Sequence, residues 1–203
     1  TYSFADSQTI GEEGPLLTAF WKQRGYKRIY ALLGDNAWGH VIEPIIKDAV
    51  GKTGAQYGVA FFALDQTDFR GVVTRAKEFA PDALLITAQG STAETSVIAH
   101  ATQLGLRAPM FNPGNYFNIP TWRAGFGSYV DGMYFAGLNL DASNSPKFVS
   151  EFHSRYGHDP SYVAGEAYDQ VQMFAFAIRH GGYSGPAIRD QLAARGAAYL
   201  DAG

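Results

Sequence analysis

The sequence predicts an α/β fold, a three-layer open parallel sheet with helices on both faces. Three observations carry this. Strand-like apolar runs alternate with helix-like segments over roughly the first 110 residues, the pattern of βαβ units. Each pair of runs is separated by enough chain for a helical crossover, which parallel neighbours require. Gly or Pro closes the helix-like segments, at Gly25, Pro81 and Gly105. Right-handed crossovers then place helices on both faces of the sheet.

The first helix spans about Glu12 to Arg24. A strand follows from Lys27 to Leu33, KRIYALL, and turns through GDNAWG into a helix from about Trp38 to Val50. AQYGVAFFAL is the second strand, bounded by Gly51, Gly54 and Asp65. DQTDFRGVVTRAKEFA opens with Asp65, Thr67 and Asp68 as cap residues and continues as an amphipathic helix. DALLITA is the third strand, with GSTAETSVIAHATQLGL as the helix after it. APMFN is the fourth strand, PGNYFNIP a loop and VDGMYFAG the fifth strand. After Gly137 the pattern changes. LNLDASNSP is polar and turn-rich, a linker by composition. KFVSEFHSRYG, YVAGEAYDQVQMFAFAIRHGG and GPAIRDQLAARG read as helices with no strand of their own. The expected domains are therefore 1–137, carrying the sheet, and 138–203, a crossover and helices of a second, incomplete lobe.

Composition narrows the function classes. Net charge is −3, with acids and bases mixed along the chain and no basic stripe for nucleic acid. No run is long and apolar enough to span a bilayer. The chain has no cysteine, which excludes disulfides, thiol catalysis and thiolate metal sites. Its five histidines are scattered, and His153 and His158 straddle a helix end, so no metal site is expected. VGKT at Val50–Thr53 echoes the end of a phosphate loop, but Ile46 stands where a Gly is required. GFGSYV ends on Val130 instead of the dinucleotide glycine, and no G-x-S-x-G occurs. Neither a catalytic residue nor a cofactor is expected.

The stronger signal is collective. An open parallel sheet binds ligands beyond the carboxyl ends of its strands. Those ends carry GDNAW, LDQTD, AQGST and NPGNY, each polar and able to present an OH or an amide. The same residue types also favour caps and turns. The candidate ligand contacts are Asn36 and Trp38, then Gln89, Gly90 and Ser91, then Asn115 and Tyr116. Trp38 and Tyr116 supply flat walls, with core packing as the competing role. GEAYDQV adds Asp169, an acid inside an otherwise apolar helix, where burial is costly unless it is paired.

Three stretches resemble the type I periplasmic binding proteins, in particular the leucine/isoleucine/valine-binding branch of ABC-transporter solute receptors. KRIYALLGDNAWGHVIEP is similar to that family's strand, elbow and helix start, with an aromatic at the place of Trp38. FALDQTDFRGVVTRAKEFAPDALLI and FVSEFHSRYGHDPSYVAGEAYDQVQMFAFAI resemble two further family patterns, the second long and specific. The resemblance covers nearly the whole chain. It implies capture of a small solute between two closing lobes and delivery to a membrane permease. The implied location is periplasmic, or extracytoplasmic and lipid-anchored in a Gram-positive source. It also implies that the stretch starts at the first crossing between lobes and runs through the second lobe, as a fragment of a longer receptor would. Left uncovered, the apolar tail helices of such a fragment are expected to fray or to drive self-association. The implied contacts of the second lobe fall on Trp38, on Gln89–Ser91 and on the loop from Asn112 to Tyr116. Amino-acid binders of the family often place an acid in that loop, and NPGNYFN has none. That leaves room for amides and aromatic acids beside amino acids. A ligand-sensing domain of an amide-type regulator, or a receptor with the same fold, is the alternative reading.

Overall fold

The computed structural model describes residue 4 and residues 10–113, 120–136 and 143–195. The chain divides into two compact units, one of Gln8–Leu138 and one containing Asn139–Gly203.

In the first unit the order is α1 (Ile10–Arg24), β1 (Arg28–Gly34), α2 (Ala37–Gly51), β2 (Gln56–Phe62), α3 (Arg70–Glu78), β3 (Ala83–Thr87) and α4 (Thr92–Gln103). It continues with β4 (Met110–Pro113), α5 (Pro120–Phe126), a 3-10 turn at Gly127–Val130 and β5 (Tyr134–Ala136). All pairings are parallel, in the order β2-β1-β3-β4-β5. Central β1 and β3 are covered on both faces, so their sequences run apolar without a break and Ile29, Ala31–Leu33 and Ala83–Ile86 are fully buried. Edge strand β2 is only half-buried along most of its length. Leu17 and Trp21 of α1 and Ile42, Ile46 and Val50 of α2 cover one face. Val72, Val73 and Ala76 of α3, Ala93, Val97 and Ile98 of α4, and Val130 cover the other. Burial of each such Leu, Ile, Val or Phe is worth ~1.5–3 kcal/mol, so this two-sided core dominates the unit's stability.

Two expectations need correction. The N-cap of α3 is Phe69, and Asp65 and Thr67 lie outside the helix. Asp68 instead accepts the Arg70 N–H at 3.0 Å and pairs with its guanidinium at the surface, which holds its carboxyl well below the usual range. The fifth strand is shorter than VDGMYFAG, because Gly127–Val130 coils and Gly132 takes φ +81° before the chain extends. Helix α5 was not foreseen from TWRAGF.

In the second unit, α6 (Pro146–Tyr156), α7 (Tyr162–Gly181) and α8 (Gly185–Arg195) follow one another, and its described residues include no strand. Phe148 of α6 packs on Tyr168 of α7, with ring centroids 5.0 Å apart. Ala177 and Leu192 are buried within the unit, whereas Tyr168, Val171 and Phe174 of α7 are exposed.

Candidate solute site at the carboxyl end of the sheet

From β1 the chain moves to β2 on one side and later to β3 on the other. The strand order therefore reverses between β1 and β3, which is where an open α/β sheet forms its ligand crevice. Two elbows border that point, Gly34–Gly39 after β1 and Ala88–Ser91 after β3.

The first elbow is built by close approach. Asn36 is the N-cap of α2, and its Oδ1 accepts the Gly39 N–H at 2.8 Å. A Cβ on Gly39 would stand 1.9 Å from the Gly34 carbonyl oxygen, so helix and strand end meet only because Gly39 has none. A Cβ on Gly34 would meet the Ala88 Cβ at 2.8 Å, so the two elbows themselves are pressed together. Trp38, in the first turn of α2, is half-buried against the α1–α2 side of the core. Its indole Nε1 is buried without a hydrogen-bond partner.

The second elbow is strained. Gln89 takes φ +55° and Gly90 φ +69° in succession. A non-glycine residue there costs on the order of 1–3 kcal/mol, and such conformations cluster at ligand clamps. Ser91 is the N-cap of α4, its Oγ accepting the Glu94 N–H at 3.2 Å. The side chain of Gln89 is exposed. Helices α2 and α4 lie on opposite faces of the sheet, and both begin at its carboxyl edge, where the positive ends of their dipoles fall. Trp38 offers an apolar plane, Gln89 an amide and Ser91 an O–H. This arrangement can hold a small polar or aromatic molecule without any acid–base chemistry.

Of the other expected contacts, Asn115 and Tyr116 lie outside the described residues. Asp169 stands half-buried on α7 and so belongs to the second unit. Among the described residues no cluster of three or more His, Asp or Glu could hold a metal, and no helix is long and apolar enough to cross a membrane.

Glu94 was missed. It is fully buried, and its Oε2 accepts the N–H groups of Ala88 and, at 2.9 Å, of Gly90. Oε1 accepts Asn112 Nδ2 at 2.8 Å, and that amide also donates to the Ile86 carbonyl at 2.7 Å. Ser91-x-x-Glu94 is a capping-box spacing and could have flagged it. In a capping box, however, the acid reaches back to the N-cap N–H, whereas here it reaches past Ser91 into the elbow. Burial pushes the Glu94 carboxyl up to about 7, against the lowering effect of its three donors. Because the folded value lies above the usual 4.5, the folded state takes up this proton more readily than the unfolded chain. The group's stabilising contribution is full below about pH 4.5 and is lost as the pH rises through 7. Moving from pH 8 to pH 5 is expected to add about 2–3 kcal/mol through Glu94. Urea unfolding of wild type and Glu94→Gln at both pH values checks this. Identical pH slopes for the two proteins would contradict it.

The profile of the periplasmic binding protein family matches residues 3–201. The chain belongs to that family. Solved structures agree in fold. A leucine-binding protein from Thermotoga maritima superposes with a TM-score of 0.79 at 22% identity, over 92% of this chain and 55% of its own. A branched-chain amino acid ABC transporter periplasmic ligand-binding protein from Burkholderia xenovorans gives 0.74 at 18% identity, over 93% and 51%. An ABC transporter solute-binding protein from R. palustris, in complex with benzoate, gives 0.73 at 17% identity, over 90% and 51%. These relatives are solute-binding proteins, and the chain spans about half their length. A search of curated proteins gave no match.

Proposed function

We propose that the protein is an extracytoplasmic solute-binding protein of an ABC importer, which captures an amino acid, an amide or an aromatic acid and delivers it to a membrane permease. The reading rests chiefly on the strand-order reversal between β1 and β3, bordered by the Trp38 elbow and the strained Gln89–Gly90 turn. A strained, polar turn at the mouth of such a crevice suits a binding face, since strained conformations cluster at ligand clamps. Family membership and the ABC-transporter relatives support the same reading. Asn115 and Tyr116, in the stretch after β4, are proposed as further contacts. Titration calorimetry of the full-length receptor against amino acids, their amides and benzoates tests it. Saturable binding of one class without turnover is expected, and chemical conversion of the solute would overturn the reading.

The 203-residue stretch corresponds to about half the length of the relatives above. In a two-lobe receptor, affinity comes from closure around the solute. The isolated stretch is therefore expected to bind more weakly than ~1 μM, which already corresponds to about −8 kcal/mol. A submicromolar dissociation constant for it alone would contradict closure as the source of affinity.

A further inference from the structure

Glu94 is a buried carboxyl with no cation beside it among the described residues. Three donors converge on its two oxygens: the Ala88 and Gly90 amides from the elbow and the Asn112 side chain from β4. Among the described residues no charged or titratable side chain acts on it from any element; burial and these three donors account for its state. A helix cap alone would not require this. Ser91 already caps α4, and an acid at this position can serve a cap from the surface. What the carboxylate holds is the segment from Ala88 to Gly90, whose middle residue is in a left-handed conformation that a glutamine does not adopt unaided.

We propose that Glu94 is the positioning residue of the solute site: gripped by Asn112, its carboxylate fastens the Ala88 and Gly90 amides and so holds the Gln89–Ser91 turn in the single shape presented to the solute. This rests on the function proposed above. The chemistry is specific to the ionised form. A protonated carboxyl places an O–H among three donors, and its protonated oxygen is a much weaker acceptor than a carboxylate oxygen. A glutamine has the same defect, since its NH₂ would face Asn112 Nδ2, which is already committed to the Ile86 carbonyl. The turn should therefore loosen as Glu94 gains its proton, even though the fold as a whole gains stability in that direction. A residue with a merely structural role would not produce those opposite trends.

The test measures amide-exchange protection factors at Ala88 and Gly90 in the full-length receptor, with Ala31 and Leu32 of β1 as internal references. Titrations with L-leucine and with benzoate accompany it. In wild type, protection at the two elbow amides is expected to fall about tenfold from pH 8 to pH 6 while the references do not fall and rise with the stability of the fold, as follows from titration near 7. Affinity for whichever probe binds should fall with it. Glu94→Gln should show low protection and weak binding at every pH, with its melting temperature kept. Asn112→Ala, which leaves the two backbone contacts, should fall between. PH-independent protection in wild type, or full protection and affinity in Glu94→Gln, would overturn the proposal. Binding of neither probe to wild type would count against the functional reading alone, and the exchange data would still decide the role of Glu94.

Discussion

Gly39→Ala is expected to destabilise the protein by about 3 kcal/mol, near the upper end of the usual range for overpacking. The added methyl would stand 1.9 Å from the Gly34 carbonyl oxygen, and that oxygen belongs to the backbone of a fully buried strand. No rotamer can relieve the clash. Either α2 lifts from the strand end or β1 shifts against β2 and β3. Lifting α2 would uncover Ile42 and Ile46, both buried under its inner face. Gly71 provides the control. It lies in α3, is exposed, and a Cβ there meets nothing within 4 Å. Gly71→Ala is therefore expected to stabilise by up to about 1 kcal/mol, the ordinary preference of a helix for Ala. Urea midpoints of the two variants decide the matter. Equal stability would mean that the elbow is looser than the contact distance implies.

The second large effect is on binding. Trp38→Ala in the full-length receptor is expected to weaken solute binding at least tenfold while the fold persists. Trp38 is only half-buried, and its indole N–H has no partner among the described residues, so its contribution to the core is partial. A stacking wall is worth ~1 kcal/mol or more beyond the area it covers, and the lost area adds to that. Trp38→Phe keeps the plane and loses the N–H, so it separates stacking from hydrogen bonding. Unchanged affinity in Trp38→Ala, or collapse of the fold, would return Trp38 to the role of core residue.

The contrast between what could be read and what could not has physical causes. β1 and β3 were legible because strands covered on both faces must be apolar throughout, and KRIYALL and DALLITA are. The elbow after β1 was legible as a cap followed by a helix, since Asn36 is a strong capping residue. The reason for Gly39 was not, because it depends on a helix approaching a strand end that lies five positions back in sequence and is set by tertiary packing. Helix α5 was hidden because TWRAGF is too short to show a period and contains a glycine. Glu94 escaped because periodicity gives the face of α4 that an acid lies on, and says nothing of donors brought to it by β3 and β4. Asn112 ends the expected fourth strand and begins the loop that the resemblance implies, and its hold on Glu94 appears only once β4 lies beside β3. Residues whose function comes from neighbours distant in sequence are the ones pattern reading loses.

The crevice between the β1 and β3 elbows is the proposed seat of the solute. Native mass spectrometry of the full-length receptor, purified without denaturation, tests it most directly when paired with the Trp38→Ala variant. One small molecule is expected bound per protein in wild type, an amino acid, an amide or an aromatic acid, and it is expected to be lost or sharply depleted in the variant. A wild-type protein that carries no solute and takes up none from those three classes, or a variant that retains the same molecule at full occupancy, would contradict it.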